Sequence, residues 1–137
     1  MSIKRYQYLG YLQIFIGMGA LAGGLPMILT PDGSSSGLSA EILNNTPFTT
    51  YLIPGILLFT VNGLGNLVAS YFSLKFKKET GVLGMIFGTA LIIWMIVQLY
   101  YLGYASWFQP LYLAVGSVEL VLGYFINKEI LHPSSKK

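Results

Sequence analysis

Four long apolar runs alternate with short polar connections along this chain. The runs cover residues 6–29, 49–74, 80–103 and 110–127. A helix rises 1.5 Å per residue, so about 20 apolar residues cross the roughly 30 Å hydrocarbon core of a bilayer. The pattern therefore predicts an all-α fold: a four-helix transmembrane bundle forming a single membrane domain over residues 1–137. Lys4 and Arg5 followed by apolar residues and Ala20-Leu21-Ala22 have the order of a signal peptide, but the apolar run continues to Leu29 and reads as a first span. Pro54 falls in the first turns of the second run, where a missing N–H costs least, and Pro110 opens the fourth.

The connections differ in character. Residues 30–48 form the longest polar stretch and begin with Thr30-Pro31-Asp32-Gly33, which has turn chemistry. Ser39 is placed to cap a short helix running to Asn44, with Leu38, Ile42 and Leu43 on its apolar side. That helix is predicted to lie across one end of the bundle. The second connection is a tight lysine-rich turn (Lys75, Lys77, Lys78), and the third is a short aromatic link, 104–109.

Charge gives the bundle a direction. All eight Lys and Arg residues fall in the N-terminal head, the second connection and the segment from Lys128 onward, which four spans place on one side. The first and third connections carry only Asp32 and Glu41. Positive charge is retained on the cytoplasmic side, so both termini are expected there and the long loop outside. Tyr51, Tyr100, Tyr101, Tyr104, Trp107 and Tyr112 would mark the outer boundary. Tyr6, Tyr8, Tyr11, Tyr71 and Tyr124 would mark the inner one. The basic residues make no groove for nucleic acid, and contact with anionic lipid headgroups accounts for them.

Composition sharpens the class. The chain is 54% hydrophobic and 9% charged, with a mean hydropathy of +0.64. A soluble domain carries about 25% charged residues, so this chain has too little polar surface to cover itself in water. It has no cysteine, hence no disulfide, thiolate nucleophile or Cys-based metal site. Its one histidine, His132, lies in the polar tail, so neither metal nor haem nor any other cofactor is expected within the membrane.

The sharpest single feature is Glu119, nine residues after Pro110 and nine before Lys128. An ionised carboxylate at that depth costs about 2.5–3.5 kcal/mol on insertion scales. It is therefore expected to face the bundle interior in its neutral form, either as a ligand or proton site or as a carboxyl bonded to a neighbouring helix. Asn62, Asn66 and Ser70 follow one another on one face of the second span, Thr89 lies midway along the third, and Gln13 lies in the first. Unmatched polar groups in hydrocarbon cost several kcal/mol, so Glu119, Asn62 and Asn66 are predicted to cluster. Gln98 and Tyr101 form a second candidate group nearer the outer end. No Ser/His, Lys/Ser or paired-carboxylate arrangement stands at depth, which weighs against an enzyme. Gly19-xxx-Gly23, and Thr80, Gly84 and Gly88 at four-residue spacing, read as helix-packing faces within the bundle or as a homodimer face.

The segments Pro31-Asp32-Gly33-Ser34-Ser35-Ser36-Gly37-Leu38, Thr46-Pro47-Phe48, Tyr51 to Leu58, Trp94 to Gln98 and Trp107-Phe108-Gln109-Pro110 resemble a group of small, uncharacterised four-span bacterial membrane proteins. The resemblance runs along most of the chain. It implies four spans in a bacterial inner membrane and carries no activity. A looser likeness of architecture links the chain to the small multidrug resistance transporters, whose membrane glutamate stands in the first span and not the fourth. The expected function is a non-enzymatic membrane protein binding a partner protein or a small lipophilic ligand. The alternatives are a proton-coupled small transporter or channel subunit using Glu119, and a membrane enzyme acting on lipid or quinone.

Overall fold

A computed structural model describes residues 3–32, 50–102 and 108–131, and every regular element among them is helical. Helix α1 covers Ile3–Leu29. The second span comprises α2 (Leu52–Leu57), a π-helical segment (Leu58–Leu64) and α3 (Gly65–Leu74). Helices α4 (Thr80–Leu102) and α5 (Phe108–Leu131) complete the chain. Four stretches, Lys4–Leu29, Leu52–Leu74, Thr80–Tyr100 and Gln109–Glu129, are long and apolar enough to cross a membrane. The short helix predicted for 39–44, together with Glu41, Tyr104, Trp107 and His132, lies outside the described residues.

Local chemistry sets the ends. Helix α1 stops at Leu29 because Thr30 precedes Pro31, whose ring disfavours helical backbone in the residue before it. The N–H of Tyr51 then donates to the carbonyl of Pro31 at 2.8 Å, so the two ends of the long connection meet. Tyr51 is buried against Met27 and Leu58. At the other end of the second span, the N–H of Lys77 reaches the carbonyl of Phe72 (3.0 Å) and that of Phe76 reaches Ser73 (3.1 Å). This is the paired 6→1 and 5→2 closure of a Schellman motif. Phe76 takes the left-handed position usually held by glycine, with φ 56°. Its ring meets that of Tyr6 edge-on at 5.7 Å.

Glycines fix which spans touch. Helices α4 and α5 make the most extensive contact. A Cβ on Gly88 would stand 2.6 Å from the backbone nitrogen of Leu120, and one on Gly123 would stand 2.7 Å from that of Met85. Only glycine permits backbones this close, and in lipid such close approach is what drives association. Helix α1 and the second span form a similar pair: a Cβ on Gly24 would lie 2.9 Å from the carbonyl oxygen of Gly55, and one on Gly17 would lie 3.0 Å from that of Gly63. Gly84 and Gly88 thus serve packing as their spacing predicts. Gly23 does not, since a Cβ there would meet only Leu58, at 3.5 Å, whereas one on Gly19 would stand 2.7 Å from the Tyr112 hydroxyl of α5.

The two pairs join along a seam. At one end, Arg5 Nη1 bonds Glu129 Oε2 at 3.0 Å and the guanidinium lies over the ring of Phe125. Tyr6, Leu9 and Ile126 pack beside it. The described cations, Lys4, Arg5, Lys75, Lys77, Lys78 and Lys128, all belong to this basic end. Tyr8, Tyr11, Tyr71 and Tyr124 are exposed around it, whereas Tyr6 is buried inside.

Candidate functional site

Glu119 is fully buried, as its sequence position predicts, and it sits on the seam. The side-chain amide of Gln13 in α1 donates to Glu119 Oε2 at 3.1 Å. The hydroxyl of Ser73 in α3 donates to Gln13 Oε1 at 2.7 Å and also lies 3.1 Å from the carbonyl of Ala69. Three spans are thus joined through one carboxyl, one amide and one hydroxyl, all sealed from solvent. Glu119 Oε1 is buried without a hydrogen-bond partner.

The predicted cluster of Glu119 with Asn62 and Asn66 needs correction. Both asparagines are buried, but the amide of Asn66 donates to the backbone carbonyl of Asn62 one turn away (2.8 Å), and both Oδ1 atoms lack partners. The cause is register. Gly10 packs beside Ser73, and Gly17 packs beside Gly63 and Leu67. Gln13 is therefore level with the turn between Ser70 and Ser73, and Asn66 stands about a turn farther from the basic end. Asn62 lies in the π-helical segment, where the N–H of Gly65 reaches back five residues to Thr60. Nothing in the side-chain pattern signals this segment. Thr89 is exposed: the inward stripe of α4 runs through Gly84, Gly88, Leu91 and Met95, and Thr89 is turned away from it by about 100°.

A cavity of about 390 Å³ occupies the half of the seam away from the basic end. Helix α1 contributes Ile16, Gly19, Ala20 and Gly23, and the π-helical segment contributes Leu58. From α4 come Leu91, Trp94, Met95 and Gln98, and from α5 Gln109 and Tyr112. Its glycine floor is the Gly19-xxx-Gly23 motif, which the sequence suggests for helix packing. Ile16, Leu91 and Met95 form a buried apolar layer between this space and the level of Glu119. Glu119, Asn62 and Asn66 do not line it.

The second predicted group resolves differently. Gln98 lines the cavity, and its Oε1 accepts from Gln109 Nε2 at 3.1 Å. Tyr101 belongs to the last turn of α4, and its side chain lies outside the described residues. Gln109, Trp94 and Tyr112 were not legible as site residues; a polar pair between α4 and α5 is visible only once the two helices are in register. The ring of Tyr112 stacks on Phe15 at 5.9 Å, with its hydroxyl over Gly19. The Trp94 indole nitrogen is buried without an acceptor. Among the described residues, no group of His, Cys, Asp and Glu is arranged to hold a metal ion.

The chain matches no protein-family model, no curated protein and no solved structure.

Proposed function

We propose that this is a non-enzymatic integral membrane protein that holds a small lipophilic molecule between its two helix pairs. The observation that carries the reading is the cavity of about 390 Å³, which falls in the size range of small-molecule sites and is walled largely by apolar side chains with two glutamines at one side. The proposed setting is a bacterial cytoplasmic membrane with both termini inside. The clustering of the described cations at one end supports that orientation. A homodimer through Gly84 and Gly88 is disfavoured, since those glycines are filled by α5. The test compares the small molecules that co-purify with the native protein and with Gly23→Leu. A Cβ on Gly23 meets only the Leu58 side chain, at 3.5 Å, so leucine there fills part of the cavity without striking backbone. A compound enriched with the native protein and depleted at least severalfold in Gly23→Leu supports the proposal. Identical extracts, both at bulk-lipid composition, overturn it.

One observation favours a second reading, proton-coupled transport. Glu119 Oε1 has no partner, and Gln13 and Ser73 connect the carboxyl toward the basic end. In that case Glu119→Gln abolishes substrate-driven proton movement in proteoliposomes while the protein still inserts.

A further inference from the structure

The wall chemistry of the cavity selects among lipophilic molecules, and this inference rests on the ligand-binding reading above. We propose that the occupant is an uncharged, ring-bearing carbonyl compound with an apolar tail, of the lipid-soluble quinone class, with its carbonyl head at Gln98.

No lining residue is charged, so an ionised head would be stranded in a low-dielectric space without a counter-charge. The unmatched polar groups of the wall are donors. Gln98 Oε1 is occupied by Gln109, which leaves the Gln98 amide nitrogen without a partner among the described residues and not sealed by its neighbours. The Trp94 indole nitrogen also lacks an acceptor but is sealed from the space, so the Gln98 amide is the donor that an occupant can reach. Buried donors need acceptors, so the complementary molecule presents carbonyl oxygens and not hydroxyl or ammonium groups.

Shape points the same way. The Tyr112 hydroxyl lies over Gly19, so the bare part of the α1 wall is at Gly23, and the aromatic side chains of Trp94 and Tyr112 line the same space. A flat ring fits between a glycine surface and aromatic side chains better than a branched head does. Gly23 lines the cavity and is exposed, within the span Lys4–Leu29. An apolar tail would leave the space beside Gly23 and Leu58, where the walls are apolar. Binding alone is proposed, with no redox step.

The experiment uses the full chain in detergent with Trp107→Phe as background, which leaves Trp94 as the fluorophore. The probe is a benzoquinone carrying a decyl chain, and decylbenzene serves as the acceptor-free control. Saturable quenching of Trp94 by the quinone is expected, weakened about five- to tenfold by Gln98→Leu, the loss that follows from one hydrogen bond. Gly23→Leu should abolish it, with helicity by circular dichroism confirming that both variants fold. Equal quinone affinity in Gln98→Leu, or displacement of the quinone by decylbenzene with an affinity equal to the quinone's own, overturns the carbonyl-head inference. If decylbenzene still competes in a manner that Gly23→Leu abolishes, the cavity remains a ligand site of another class. If no probe saturates and Gly23→Leu changes nothing, both this inference and the ligand-binding reading fall.

Discussion

Gln13 and Glu119, 106 positions apart in the chain, meet in a 3.1 Å hydrogen bond that ties one helix pair to the other. Interhelical hydrogen bonds in membranes contribute about 0.6 kcal/mol on average and up to about 1.7 kcal/mol, because the separated helices find other partners. The buried position and the second bond to Ser73 place this one toward the upper part of that range.

A double-mutant cycle on Gln13→Leu and Glu119→Leu should therefore return a coupling of about 1–1.7 kcal/mol in reversible unfolding from mild detergent into dodecyl sulfate. Glu119→Gln keeps an acceptor for Gln13 and should stay within about 0.5 kcal/mol of the native protein. A coupling near zero would mean that the bond adds nothing to stability.

Two glycine substitutions should behave oppositely. Gly88→Ala puts a methyl 2.6 Å from backbone that cannot swing aside, so it should cost about 1–3 kcal/mol and lower the unfolding midpoint. Gly23→Ala meets only Leu58 at 3.5 Å and should be neutral or slightly stabilising, since alanine favours helix over glycine by about 1 kcal/mol. Thermal unfolding in one detergent compares them directly.

At Phe76, backbone and side chain pull in opposite directions. The left-handed backbone costs a non-glycine residue about 1–2 kcal/mol, and the edge-on contact with Tyr6 returns about 0.5–1.5 kcal/mol beyond area burial. Phe76→Gly loses both and should change stability little. Phe76→Ala keeps the strain and loses the ring, so it should be the less stable of the two by about 1 kcal/mol. Chemical denaturation of the two variants side by side gives the order.

Sidedness can be read directly, because the chain has no cysteine. Single cysteines at Lys77 and Ser36 should react with opposite access: Ser36→Cys with a membrane-impermeant maleimide added to spheroplasts, and Lys77→Cys only after the membrane is broken. The reverse labelling would invert the proposed orientation.

The four spans were legible because hydrocarbon thickness imposes a length that apolar runs such as 80–103 must meet. Glu119 was legible for a related reason, since a carboxyl with apolar sequence on both sides has no favourable place except the interior. Its partner was not. Counting residues gives depth only to within about a turn, and the register that puts Gln13 and not Asn66 beside Glu119 is set by Gly10 and Gly17 against α3. The π-helical segment shifts the inward face at Asn62, and no residue pattern marks such a shift. Gly19 and Gly23 have the spacing of a packing motif, yet both line a cavity and of the two only Gly19 closely meets another span, at the Tyr112 hydroxyl, because spacing says which residues share a face and not what lies opposite. The Arg5–Glu129 pair escaped notice since the fourth span reads as ending at Lys128, whereas α5 continues to Leu131.

The seam between the helix pairs is fastened unevenly. Arg5 and Glu129 clasp one end and Gln13 grips Glu119 midway, while the far half holds empty space. Such an arrangement works like a clothes peg. On the ligand-binding proposal, the halves would pivot about the clasp and part at the cavity end, where the Tyr112–Phe15 stack and the Ile16–Leu91–Met95 layer cross the seam, so that a guest would be exchanged with the surrounding lipid without either hairpin coming undone.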